Sequence, residues 1–310
     1  MEVQEQEQVR IKIPAEAVEL YTRYIHGEVS RREFLNGVKR FAIAGLTAEA
    51  IAQALMPNYA LGQQVRKDDE RIKASYETIP SPLGNGYIKG YFVRPNSQDS
   101  REEKPTKLPA VLVVHENRGL NPHTEDVARR FAMENFIAFA PDALSIMGGY
   151  PGDDYKGGQL FTKLDAGKRM QDFLACAQWL KAHALSTGKV CATGFCFGGG
   201  VCNTLATLMG PDMAAIAPFY GGNPTLPDVA KTKAAVLMHH GGLDMNLVKA
   251  YPAYEAELKK NNIPHEIHIW PNSVHGFFND ATPERYNKTT APQAWARTIE
   301  WFNQYARPTS

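Results

Sequence analysis

The sequence predicts an α/β fold, a mostly parallel sheet with helices on both faces, preceded by a helical extension. Three observations carry that prediction. From residue 72 onward, short apolar runs alternate with stretches of helical periodicity. The run Pro109-Ala110-Val111-Leu112-Val113-Val114 is continuously apolar, as expected of a strand covered on both faces rather than one. Residues 189–200, KVCATGFCFGGG, read as a strand, a sharp Gly-rich turn and the start of a helix.

Composition bounds the rest. The chain has 310 residues, 44% of them hydrophobic, enough for one large core and an appendage. Lys and Arg total 34 against 33 Asp and Glu, so no charge excess argues for nucleic acid or an anionic surface as partner. No apolar run approaches the roughly 18 residues of a membrane span. The cysteines are Cys176, Cys191, Cys196 and Cys202, without a C-x-x-C pair or a Cys/His cluster at metal-ligand spacing. Gly152-Asp153-Asp154 has too few ligands for calcium, and Gly198-Gly199-Gly200 lacks the Lys-Ser/Thr of a phosphate loop. No metal and no cofactor are expected.

Residues 1–70 form the expected extension and residues 71–310 the catalytic domain. Within the extension, residues 15–27 are amphipathic. Ser30-Arg31-Arg32-Glu33-Phe34-Leu35, followed by the weakly apolar residues 41–46, resembles a twin-arginine export signal. Against this, the arginines lie far from residue 1 and Glu49 interrupts the apolar stretch. The other reading is an amphipathic helical pair, 15–27 and 31–55, packed on the main domain or on a second chain as a homo-oligomer. Both readings are open, so the compartment is periplasmic under the first and cytoplasmic under the second.

The main domain opens with a hairpin, 74–79 and 86–94, and residues 97–107 read as a surface connection. Strand 109–114, helix 125–134 and strand 137–140 follow. Residues 144–163 are rich in Gly, Tyr and Asp without clear periodicity and read as a long loop on a pocket rim. Next come helix 164–183, strand 189–193, helix 198–209, strands 214–219 and 235–239, helix 249–261, strand 265–270 and helix 291–305. An antiparallel start with a strand-turn-helix elbow in mid-chain narrows the class to an α/β-hydrolase fold.

That fold specifies where its chemistry sits. Gly194-Phe195-Cys196-Phe197-Gly198 fits the nucleophile elbow G-x-S-x-G with Cys in place of Ser. The helix that follows aims its free N–H groups at the sulfur, which favours thiolate. The acid should follow a late strand and the histidine should precede the last helix. Asp244 and His275 occupy those places. Asp142 also ends a strand, but the chain order favours Asp244. Cys196 is then the nucleophile, His275 the general base and acid, and Asp244 the group that orients the imidazole. The oxyanion donors are the N–H groups of Phe197 and Asn117. His239 and His240 end a buried strand and read as core residues. His115 reads as a core residue or as a support for its loop.

His115-Glu116-Asn117-Arg118-Gly119-Leu120, Gly194-Phe195-Cys196-Phe197-Gly198-Gly199, Gly242-Leu243-Asp244 and Val274-His275-Gly276-Phe277 together resemble the dienelactone hydrolase (carboxymethylenebutenolidase) family over residues 70–306. The resemblance implies a cysteine triad that hydrolyses an ester or lactone. It also implies that Glu116 accepts from the resting thiol and keeps it neutral until substrate arrives. Family members that cleave dienelactone carry an arginine shortly after the catalytic histidine. Here Gly276, Phe277, Phe278 and Asn279 follow, so a neutral or aromatic ester is expected instead. Tyr150, Tyr155, Phe161, Tyr220 and Phe277 are the candidate pocket aromatics. Acyl transfer on the same triad and a non-hydrolytic thiol-sensing scaffold are the rival functions.

Overall fold

The computed structural model describes residues 13–25, 27–42, 47–96 and 106–307. Strands β1 (Ile72–Ser81) and β2 (Gly86–Pro95) form an antiparallel hairpin, and β2 runs antiparallel to β4 (Ile137–Asp142). Beyond β4 every pairing is parallel, through β3 (Leu108–Val114), β5 (Ser186–Phe195), β6 (Met213–Phe219), β7 (Ala235–Gly241) and β8 (His265–Trp270). The strand order is β1-β2-β4-β3-β5-β6-β7-β8.

Strand periodicity sends alternate residues to opposite faces. Ala110, Leu112 and Val114 of β3 join one core with α6 (Ala166–Ala182), α7 (Phe197–Met209) and α8 (Met245–Lys260). Val111 and Val113 join the other with α4 (Pro122–Met133) and α9 (Thr290–Ala306). Both faces are therefore covered, which is why β3 carries no polar residue between Pro109 and Val114.

Several boundaries differ from the sequence expectation for identifiable reasons. Helix α4 starts at Pro122 rather than 125, because Asn121 caps it by accepting from the Thr124 N–H and Pro122 supplies a first turn that needs no donor. Residues 144–163 are not one loop. They hold α5 (Asp154–Phe161), capped by Asp153, whose two glycines, Gly157 and Gly158, hide its helical pattern. Gly157 is required there, since a Cβ would lie 2.3 Å from the Arg118 carbonyl oxygen. Helix α8 starts at Met245 rather than 249 and places Asp244 at its N-cap.

The N-terminal segment folds as α1 (Ala15–Ile25), α2 (Arg31–Val38) and α3 (Ala48–Leu55) rather than as two helices. Val18, Tyr21, Phe34, Val38, Ile51 and Leu55 make its apolar core. The Ser30–Leu35 stretch is the start of α2. Ser30 and Glu33 form a reciprocal capping box, and Phe34 is fully buried. Residues 43–46 of the apolar stretch and 97–105 of the surface connection lie outside the described residues. Among the described residues no helix is long and apolar enough to cross a membrane.

The segment between α3 and β1 docks on α4 through Asp126. This fully buried carboxylate accepts from the Gln64 and Val65 N–H groups and pairs with Arg129 and Arg130. Asp126→Ala leaves two buried guanidinium groups and two backbone donors without that acceptor. It should lower stability by roughly 3–5 kcal/mol, read as a drop in urea midpoint. An unchanged midpoint would contradict this docking.

Candidate active site

The elbow forms where β5 meets α7. Cys196 lies between them with φ 54° and ψ −113°, a backbone conformation that a non-glycine residue holds only under strain. The neighbouring glycines make the turn sterically feasible. A Cβ on Gly194 would lie 2.4 Å from the Gly198 carbonyl oxygen, and one on Gly198 would lie 2.3 Å from that of Val114. Gly199 meets Gly221 in the same way, at 2.8 Å. The Cys196 N–H donates to the Phe219 carbonyl at 3.0 Å, which pins the turn to β6. No side chain caps α7, so the N–H groups of its first residues, Phe197 and Gly198, have no side-chain acceptor. Cys196 is partly exposed, whereas Cys176, Cys191 and Cys202 are buried.

Asp244 follows β7, and His275 lies in the connection between β8 and α9. The structure brings them together: His275 Nδ1 donates to Asp244 Oδ2 at 2.6 Å. The same ring hydrogen-bonds to the Cys196 side chain. Burial alone would lower the His275 pKa. The Cys196 sulfur and the Asp244 carboxylate outweigh it and raise the value to about 10. The sign follows from the direction. The contribution of the charged ring to stability is complete below its ordinary 6.5 and is lost as pH rises through about 10. For Asp244, burial pushes the pKa up, but the hydrogen bond and charge of His275 prevail and hold it below the usual range.

Glu116 lies two residues beyond β3 and is buried, with Oε1 lacking a hydrogen-bond partner among the described residues. Its loop is fixed by His115. The Ala143 N–H donates to His115 Nε2 at 3.1 Å, which leaves Nδ1–H to donate to the Glu116 carbonyl. Burial lowers the His115 pKa. Burial also raises the Tyr220 pKa, and the charges of Glu116 and Cys196 add to the effect. Asn117 follows, with its side chain turned to Ile25 of α1.

The candidate pocket aromatics fall into two groups. Tyr220 is buried with its ring 4.9 Å from His275, and Phe277 packs behind it in the core. Tyr150 and Tyr155 line a separate cavity between α1 and α5. Phe161 packs edge-on against Phe197. Asp142 organises loops rather than the histidine: it accepts from the Leu120, Leu144 and Tyr150 N–H groups. His239 accepts from Trp270 Nε1 and contacts Thr298, as a core residue. His240 is buried, and burial drives its pKa down to about 4. Among the described residues no cluster of His, Cys, Asp and Glu is placed to hold a metal ion.

Sequence reasoning missed Arg285. It lies ten residues beyond His275, yet its Nη1 would be 2.5 Å from a Cβ on Gly276. It is buried, and its Nε and Nη1 have no hydrogen-bond partner among the described residues. A search restricted to the residues just after the histidine could not find it, because the loop folds back. The lack of an arginine at 276–279 is therefore weak ground for excluding an acidic substrate.

Comparisons with known proteins agree on the family and the fold. The dienelactone hydrolase family model matches residues 88–306. A protein of Escherichia coli O157:H7, provisionally named carboxymethylenebutenolidase, is 30% identical over 256 residues, covering 78% of this chain and 90% of that protein. A crystal structure from Klebsiella pneumoniae, provisionally named dienelactone hydrolase, is 26% identical with a TM-score of 0.65, covering 76% of this chain and 99% of the other. The dienelactone hydrolase of Anabaena variabilis shares the fold at 18% identity and a TM-score of 0.58, covering 76% of this chain and all of its own.

Proposed function

This chain belongs to the dienelactone hydrolase family, and on that premise we propose that it cleaves an ester or lactone through an acyl-cysteine formed on Cys196. His275 holds the thiol proton as an imidazolium facing the thiolate, and Asp244 stabilises that cation. The thiolate attacks the acyl carbon. The negative charge that develops on the carbonyl oxygen is met by the N–H groups of Phe197 and Asn117. Collapse of the tetrahedral intermediate breaks the bond to the leaving oxygen, which takes the proton from His275. The now neutral ring then accepts a proton from water, and the hydroxide equivalent attacks the thioester. Acid is released, and the proton returns to the Cys196–His275 pair. The alternative resting state, in which Glu116 accepts from a neutral Cys196 thiol and limits oxidation of the sulfur, predicts the opposite alkylation profile.

One observation carries this reading: a single imidazole bonded on one side to Asp244 and on the other to Cys196. Because the other cysteines are buried, iodoacetamide reports on Cys196. With the ring proton held to about 10, the alkylation rate should change by less than about threefold between about pH 7 and about pH 9. An isolated thiol would accelerate by more than about tenfold over that range. A profile following the isolated thiol would remove the ion pair from the account.

A further inference from the structure

The N-terminal helices reach the residues that flank the candidate triad on both sides. Ile25 ends α1, where a helix leaves its carbonyls without intrahelical partners. The Ile25 carbonyl accepts from Asn117 Nδ2 at 2.9 Å and from Arg118 Nη2 at 2.8 Å, the two residues directly after Glu116. On the opposite side Val274, beside His275, packs into the apolar cluster of α1, α2 and α3. The Arg285 guanidinium lies over the Tyr21 ring, 5.1 Å from its centroid. Helix α1 is therefore tied to both loops that carry the chemistry.

Between α1 and α5 lies a cavity of about 490 Å³ walled by Tyr21, Tyr24, Met56, Tyr59, Tyr150 and Tyr155. The rings are held in place. Tyr59 and Tyr150 both donate to Asp154, and Tyr24 stacks on Tyr155 at an interplanar angle of 16°. Five ionic residues also line the cavity: Lys156, Asp153, which caps α5, and three more that engage neighbours. Asp154 accepts from two tyrosines, Arg118 donates to Ile25, and Arg31 lies over the Tyr155 ring. The Tyr24 hydroxyl is buried without a hydrogen-bond partner among the described residues. Its wall reaches both loops that carry the chemistry, through Arg118, two residues after Glu116, and through Tyr21, whose ring lies under the Arg285 guanidinium packed beside Gly276.

We propose that this cavity is a substrate subsite for an aryl group of the ester or lactone, and that the N-terminal segment is a working wall of the enzyme. The proposal rests on the hydrolase reading above. Flat rings on several sides favour a planar apolar guest over an alkyl chain, and the Tyr24 hydroxyl offers one hydrogen bond to a ring substituent. The Ser30–Leu35 stretch serves the same wall, because Phe34 packs against both Tyr21 and Tyr24. Processing that removed this segment would strip the cavity of one side.

The test uses the full chain with Tyr24→Ala, Tyr155→Ala and Tyr24→Phe. Tyr24 and Tyr155 are only partly buried, so folding should survive. The kcat/KM for 2-naphthyl acetate is compared with that for methyl acetate, so that intrinsic ester reactivity cancels between wild type and variant. The aryl-to-methyl ratio should fall about tenfold in each alanine variant and stay near wild type in Tyr24→Phe. An unchanged ratio, or equal loss on both esters, overturns the subsite. Calorimetric binding of 2-naphthol separates this proposal from the reaction itself. Tyrosine-dependent binding without any ester turnover supports the subsite and sinks the reaction. Turnover with binding indifferent to both tyrosines overturns the subsite and leaves the reaction standing.

Discussion

Cys196→Ala should lose turnover of a p-nitrophenyl ester by at least about 10³-fold while the protein stays folded. The loss is large because no neighbouring group can form the acyl intermediate in its place. The other cysteines are buried, Cys202 among them beneath Gly194 of the elbow. Stability should hold within about 1 kcal/mol, because the sulfur is partly exposed and its removal opens no sealed cavity. The strained φ of 54° is retained by alanine, so the elbow gains no relief that would reshape it. Urea unfolding and esterase rate are measured on the same preparation. Retained activity with an intact fold would move the nucleophile elsewhere.

Asp244→Asn should cost about 10³- to about 10⁴-fold in kcat with a smaller change in KM. The asparagine keeps the shape but can present an N–H where His275 needs an acceptor, which favours the wrong tautomer. It also removes the charge that helps raise the His275 pKa to about 10. The alkylation profile of Cys196 should therefore regain the pH dependence of an ordinary thiol in this variant. That second readout separates loss of imidazole orientation from general damage. A modest drop in kcat with the profile unchanged would argue that another acid supports the ring.

How much was legible beforehand follows the range of the signals. The elbow is local: three glycines whose missing side chains face Gly198, Val114 and Gly221 leave a mark in consecutive residues. The alternation of strands and helices is also local, and it gave the order of Cys196, Asp244 and His275. Helix α5 was hidden because Gly157 answers to Arg118, a contact made from a distant loop. Arg285 was missed because its approach to Gly276 depends on how the connection before α9 folds back. Packing of the N-terminal helices on the main domain was one of the expected readings, but the contact of α1 with Asn117 and Arg118 was not legible, because a backbone carbonyl, Ile25, makes it and a carbonyl has no sequence signature. The twin-arginine likeness and the capping box of α2 use the same residues, so Ser30 and Glu33 could not separate the two readings.

The most direct test is mass spectrometry of the protein quenched with acid during turnover of a slow ester. A thioester-linked acyl group should appear on the peptide carrying Cys196, at up to one per chain, and should be absent from Cys196→Ala. Turnover that leaves every cysteine unmodified, or an acyl group carried on a different residue, would contradict the proposed chemistry.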